Sequence, residues 1–230
     1  MPDSAYTDSA APAPLHRRVL QTFAAPGELF RGLREQAPWV GPLALSIAVG
    51  MLVVLAVPDQ AFVEATEGAV NRRGRPVEIT SDPETIVRYG RLMGMLVAVV
   101  RQPLAAFAFA GLLTLVFSLL LRGRARFLQY LAVTTHAFLI TALGSLLAVL
   151  VAVLRGTEPE GITPALLPGI PAGTFLHRVL AGTDLFTVWA ILFAALGVSM
   201  LDRNRSWGTA SAILLGAYLA VVAALAALTA

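Results

Sequence analysis

The chain holds 230 residues, 57% hydrophobic and 13% charged, with a mean hydropathy of +0.75. A soluble domain needs roughly twice that share of charge to cover its surface, so lipid is the solvent for much of this one. The absence of cysteine excludes disulfides, thiolate metal sites and cysteine nucleophiles, and a net charge of +3, carried by arginines dispersed between apolar runs, fits membrane topology better than a nucleic-acid surface, so no nucleic-acid partner is expected.

Residues 1–22 are polar and proline-containing, without the apolar core of a signal peptide, and are expected as a disordered cytoplasmic tail. The membrane domain then covers 23–230. Over residues 26–36, Leu29, Phe30 and Leu33 share one helical face, with Arg31, Arg34 and Glu35 towards the other. That pattern predicts a short amphipathic helix lying in the membrane interface, followed by Trp39 as a belt residue. Its alternative is a solvated lead-in helix.

Crossing about 30 Å of hydrocarbon takes about 20 apolar residues. Five runs qualify: 40–57, 103–121, 127–154, 185–201 and 207–228. Inside a bilayer they must be helices, because unpaired backbone groups are costly there. Between the first two runs, 71–76 reads as a turn. Ser81 and Glu84 have capping-box spacing with Pro83 between them, which predicts a helix running from there into the second span with a kink near Pro103. Between the third and fourth runs, 161–183 reads as a loop with one interfacial turn of helix over 175–180. The fold class is therefore all-α: a polytopic membrane protein of five spans with an N-terminal interfacial helix.

Arg122, Arg124 and Arg126 crowd one short connector, and Arg203 and Arg205 another. If five helices alternate, both connectors share a side with the N-terminus, and arginine enrichment makes that side cytoplasmic. The C-terminus is then outside. The long outer loop also carries arginines, but acids there, Asp59, Glu64 and Glu84 among them, bring it near neutrality.

Titratable groups inside spans are the default candidates for function. His136 stands in the third span with Thr134, Thr141 and Ser145. The imidazole suits a proton relay or a ligand contact, or a hydrogen bond to a neighbouring helix; the hydroxyls suit interhelical bonds. Ser145 and His136 lie about 180° apart on one helix, so they cannot form a catalytic pair. Arg101, beside Pro103, is expected near the outer interface. No metalloprotease, hydrolase, P-loop or dinucleotide motif is present, and no pattern calls for a cofactor or metal. Asp184 opens the fourth apolar run, where a carboxylate suits a helix cap. In the last run Gly208, Ala212, Gly216 and Ala220 recur at spacing four, and Ala106/Ala110, Gly144/Ala148 and Ala190/Ala194 repeat the pattern elsewhere. Small residues so spaced let helices approach closely, within one protomer or in a homodimer.

Several of these stretches, in order, resemble the Yip-one family of Ypt/Rab-interacting membrane proteins, in its bacterial branch. They are the segment from Pro26 to Leu33 with Trp39 and Pro42, the start of the third span from Arg126, and the segment containing Asp184, Leu185, Phe186 and Trp189. The resemblance covers about residue 23 to the end and implies five helices with a cytosolic N-terminus. Eukaryotic members bind Rab-type GTPases in vesicle traffic. That role is not carried over, because their Asp-Leu-Tyr-Gly-Pro motif is missing here. The expectation is a non-enzymatic protein of a bacterial cytoplasmic membrane, N-terminus in and C-terminus out. It would organise membrane or bind unidentified protein partners, as a homo-oligomer in one version, with basic loops on anionic lipid. The competing expectation is a permease or lipid-handling protein with a polar path past Thr134, His136 and Thr141.

Overall fold

The computed structural model describes residues 12–67, 82–155, 159–202 and 205–228. Nine α-helices are found among them: α1 (Leu15–Ala24), α2 (Pro26–Leu33), α3 (Val40–Ala56), α4 (Asp59–Glu67), α5 (Pro83–Leu113), α6 (Phe127–Arg155), α7 (Phe175–Ala181), α8 (Leu185–Leu201) and α9 (Trp207–Leu228). No strand occurs among the described residues. The predicted turn at 71–76, Ser81 and Arg203 lie outside them.

Three helices are long and apolar enough to cross a membrane: Pro83–Leu120, Phe127–Arg155 and Trp207–Leu228. Two bent pairs raise the number to five, α3 with α4 at 82° and α7 with α8 at 63°. The protein is thus an all-helical polytopic membrane protein, and every predicted span appears as helix. α6 is the central post, packing against α3, α5, α8 and both N-terminal helices.

The local chemistry explains most boundaries. Pro58 follows the last turn of α3 and turns the chain into α4, a helix the sequence pattern did not announce. Arg91 of α5 holds that corner, donating to Asp59 Oδ1 at 2.6 Å and to the Val57 carbonyl at 3.3 Å. Asp82, not Ser81, stands at the N-cap position of α5 with Pro83 first in the helix, where a missing N–H costs nothing. Thr85 Oγ1–H donates to the Asp82 carboxylate, and that bond holds the acid below its ordinary range. α5 continues through Pro103, which leaves the Val99 carbonyl without its helical donor. Its last turns widen into a π-helix over Thr114–Leu120, closed by Arg122 in the left-handed region at φ 57°.

Two expectations are corrected at the N-terminus. Residues 15–22, read as part of a disordered tail, are helical, because α1 has partners: Thr22 and Arg18 are buried and Leu15 lies against Gly41. The apolar face of α2 does not lie against lipid. Leu29, Phe30 and Leu33 are almost wholly buried in the helix bundle, and Phe30 meets Phe193 of α8 with ring centroids 4.7 Å apart. Gly197 makes room for it: a Cβ there would fall 2.9 Å from the Phe30 ring and 2.7 Å from Val133.

Candidate intramembrane polar site

His136 is wholly buried on α6. Its Nδ1 lies 2.7 Å from the Ala132 carbonyl, which can only accept, so Nδ1 carries the proton. Nε2 is then the acceptor, and Arg18 Nη1 of α1 approaches it at 3.5 Å. Arg18 also donates to the Pro38 carbonyl at 2.8 Å and the Ala13 carbonyl at 2.9 Å. Burial lowers the guanidinium's pKa, yet an arginine stays charged in proteins. The arrangement is a buried cation held by carbonyls and a neutral imidazole, joining α1 and the entry to α3 onto α6. Both ring nitrogens of His136 are engaged, which leaves neither free to relay a proton.

Arg17 and Arg18 are adjacent, and helix geometry puts neighbours about 100° apart, so one can be exposed and the other buried. Nothing in the sequence says which. Thr134 is buried with its hydroxyl unpaired. Thr141 Oγ1–H donates to the Phe138 carbonyl and Ser145 Oγ–H to that of Thr141. These bonds stay within α6 and correct the expectation of interhelical glue: hydroxyls on a helix find the carbonyl one turn back before any partner helix. Thr134 and His136 line neither of the cavities that Thr141 borders, so the three do not form one polar path.

At the start of α8, Asp184 Oδ1 accepts from the Thr187 N–H at 2.8 Å and from its hydroxyl at 3.1 Å, the geometry of an N-cap. Leu185 N–H donates to the Ile162 carbonyl at 2.9 Å, tying the loop to the helix. Phe186 fills the notch at Gly144, where a Cβ would come within 2.5 Å of its ring. Trp189 meets Phe23 edge to face at 6.0 Å. This group caps, ties and packs.

The opposite end of α8 is equally engaged. Arg34 donates through Nε to the Met200 carbonyl at 2.8 Å and through Nη2 to the same oxygen. Gln129 reaches the Arg34 carbonyl at 2.8 Å. Arg205 donates to the Leu121 carbonyl at 2.5 Å and lies 3.5 Å from the buried Asp202 carboxylate. A cation at the end of a helix favours its negative dipole end. By contrast Arg122, Arg124 and Arg126 are exposed on the connector between the π-segment and α6.

The small-residue pairs divide. Ala106, Ala110, Ala190 and Ala194 are buried within the protomer, and Gly144 receives Phe186. Gly208, Ala212, Gly216 and Ala220 are instead exposed. α9 packs on α8 through Ala210, Ser211 and Leu214, which corrects the intraprotomer reading of its spacing-four row. Among the described residues no group of three or more His, Cys, Asp or Glu could hold a metal ion.

The Yip1 domain matches residues 20–229 of the chain. The chain is also similar to "Membrane protein YknW" of Bacillus subtilis (strain 168), 25% identical over 200 residues, covering 86% of this chain and 84% of that protein. No solved structure matches.

Proposed function

The chain belongs to the Yip1 domain family of membrane proteins, and from that premise we propose that it is a non-enzymatic scaffold that binds a second membrane helix through the outer face of α9. One observation carries the reading: Gly208, Ala212, Gly216 and Ala220 form an exposed row of small side chains on a helix whose other face is already packed. A Cβ at Gly216 would meet no atom within 4 Å. Lipid offers no hydrophobic drive for association, so a face that admits another backbone closely is what a partner helix needs. The polar groups support the same reading, since Arg18, His136, Arg34 and Arg205 bond across to other elements and Asp184 caps α8.

The scaffold resides in a bacterial cytoplasmic membrane with the N-terminus inside and the C-terminus outside. The exposed Arg122, Arg124 and Arg126 support that orientation and would rest on anionic headgroups or an acidic partner surface. Association is tested by native gel migration of gently extracted membranes. The wild type should run as a complex larger than the protomer, and Gly216→Leu and Ala212→Leu should run smaller at unchanged expression. Equal migration of all three proteins would overturn the proposal.

A further inference from the structure

Arg101, expected near the outer interface, lies on α5 where that helix packs on α3. A Cβ on Gly50 would stand 3.6 Å from that of Ala98, and one on Gly94 would stand 2.9 Å from Val54, so α3 and α5 run antiparallel in contact. Three residues on from Ala98, Arg101 stands opposite Ile47 of α3 and is exposed. It borders a cavity with Thr141 of α6. No Asp or Glu lies within α3, α6, α8 or α9, or in α5 beyond Glu84. Among the described residues Arg101 has no hydrogen bond or ion pair.

Arg101 separates two spaces. One is a cavity of about 370 Å³ between α3, α5 and α6, bordered by Ser46, Gln102, Thr141 and Ser145. The three hydroxyls there already donate to carbonyls of their own helices, so Arg101 and the Gln102 amide are the donors left for a ligand. The other begins as an open apolar groove along Val97, Leu104, Ala105 and Ala108. Ala105 and Ala108 also line an almost wholly apolar cavity of about 440 Å³, walled by Phe109, Phe138 and Ile191. Arg101, Ala105, Ala108 and Leu112 recur at helical spacing, so one face of α5 leads from the cation into the apolar cavity. Both volumes are in the range of small-molecule sites.

We propose that this face binds one molecule of an anionic phospholipid, its headgroup on Arg101 and Gln102 and an acyl chain along Ala105 and Ala108 into the apolar cavity. The two ends of the site match the two ends of that ligand. A planar guanidinium takes a phosphate through paired N–H bonds, and the cavity presents an almost wholly apolar surface. A zwitterionic lipid would bring its own cation to a site that holds no acid to receive it, so the site discriminates by net charge.

Native mass spectrometry of the full-length protein, released from membranes of mixed phosphatidylglycerol and phosphatidylcholine, reads the bound lipid directly. The wild type should retain one phosphatidylglycerol in preference to phosphatidylcholine by about tenfold. Arg101→Gln should lose that preference, whereas Arg88→Gln, on an exposed arginine near the start of α5, should keep it. Ala108→Trp leaves the cation in place and fills the groove at an exposed position, so it should lower retention of phosphatidylglycerol even if Arg101→Gln does not fold. Excess inorganic phosphate should displace nothing. Equal retention of both lipids by the wild type, undiminished phosphatidylglycerol in Arg101→Gln or in Ala108→Trp, an equal loss in Arg88→Gln, or displacement by free phosphate would each overturn the assignment.

Discussion

Asp184 Oδ1 accepts two bonds from one residue of the helix it opens, the geometry of a cap. Asparagine keeps an acceptor at the same place, so Asp184→Asn should be mild. Asp184→Leu leaves the first N–H groups without a partner and should cost about 1 kcal/mol, within the usual range for a lost cap. Thermal unfolding in detergent measures both, and a larger loss in the asparagine variant would point to a role beyond capping. Arg18 is the residue on which the N-terminus turns. Arg18→Ala removes bonds to Pro38, Ala13 and His136 and should destabilise by about 2 kcal/mol. Arg18→Lys should recover only part, because one ammonium cannot reproduce the guanidinium fork. A double-mutant cycle with His136→Ala would show coupling if the pair acts as a unit, and simple additivity would separate them. The cap was legible from the sequence because an acid before an apolar run has few other readings. The Arg18–His136 pair was not, since it joins residues 118 apart, and no periodicity predicts a long-range polar contact.

Glycines decide how closely the elements approach. Gly144 on α6 faces the Phe186 ring, and Gly197 on α8 faces both Val133 and Phe30. Gly144→Leu should therefore push α6 from α8 and cost about 1–3 kcal/mol, the usual range for overpacking. Phe186→Ala in the same chain should restore part of it, whereas no recovery would mean that the two residues do not share the notch. The apolar runs were read from length and hydropathy alone, because those quantities set what a bilayer accepts. The shorter helices were harder. α4 is mostly polar and is held at its corner by Arg91, a partner more than thirty residues away. α2 was recognised as amphipathic, but amphipathicity does not say whether lipid or protein covers the apolar face. The row on α9 was visible as spacing, yet only the packed bundle shows which side of the helix remains open.

At the scale of the whole molecule, arginine placement and helix packing support one account. The charged groups at the helix ends fasten the bundle, the basic connector between α5 and α6 stays exposed, and one face of α9 is left without a partner. A reporter fused after residue 228 should be active only in a periplasmic or extracellular compartment, and a cytoplasmic signal would break the alternation of five spans. The central claim is that α9 meets a partner helix. Its most direct test is a photocrosslinking amino acid placed in turn at each position from 208 to 220 in native membranes. Crosslinked product should peak at 208, 212, 216 and 220 and fall away at Leu214 and Ala210, which face α8. A profile with no periodicity along the helix, or one peaking on the packed side, would contradict the account.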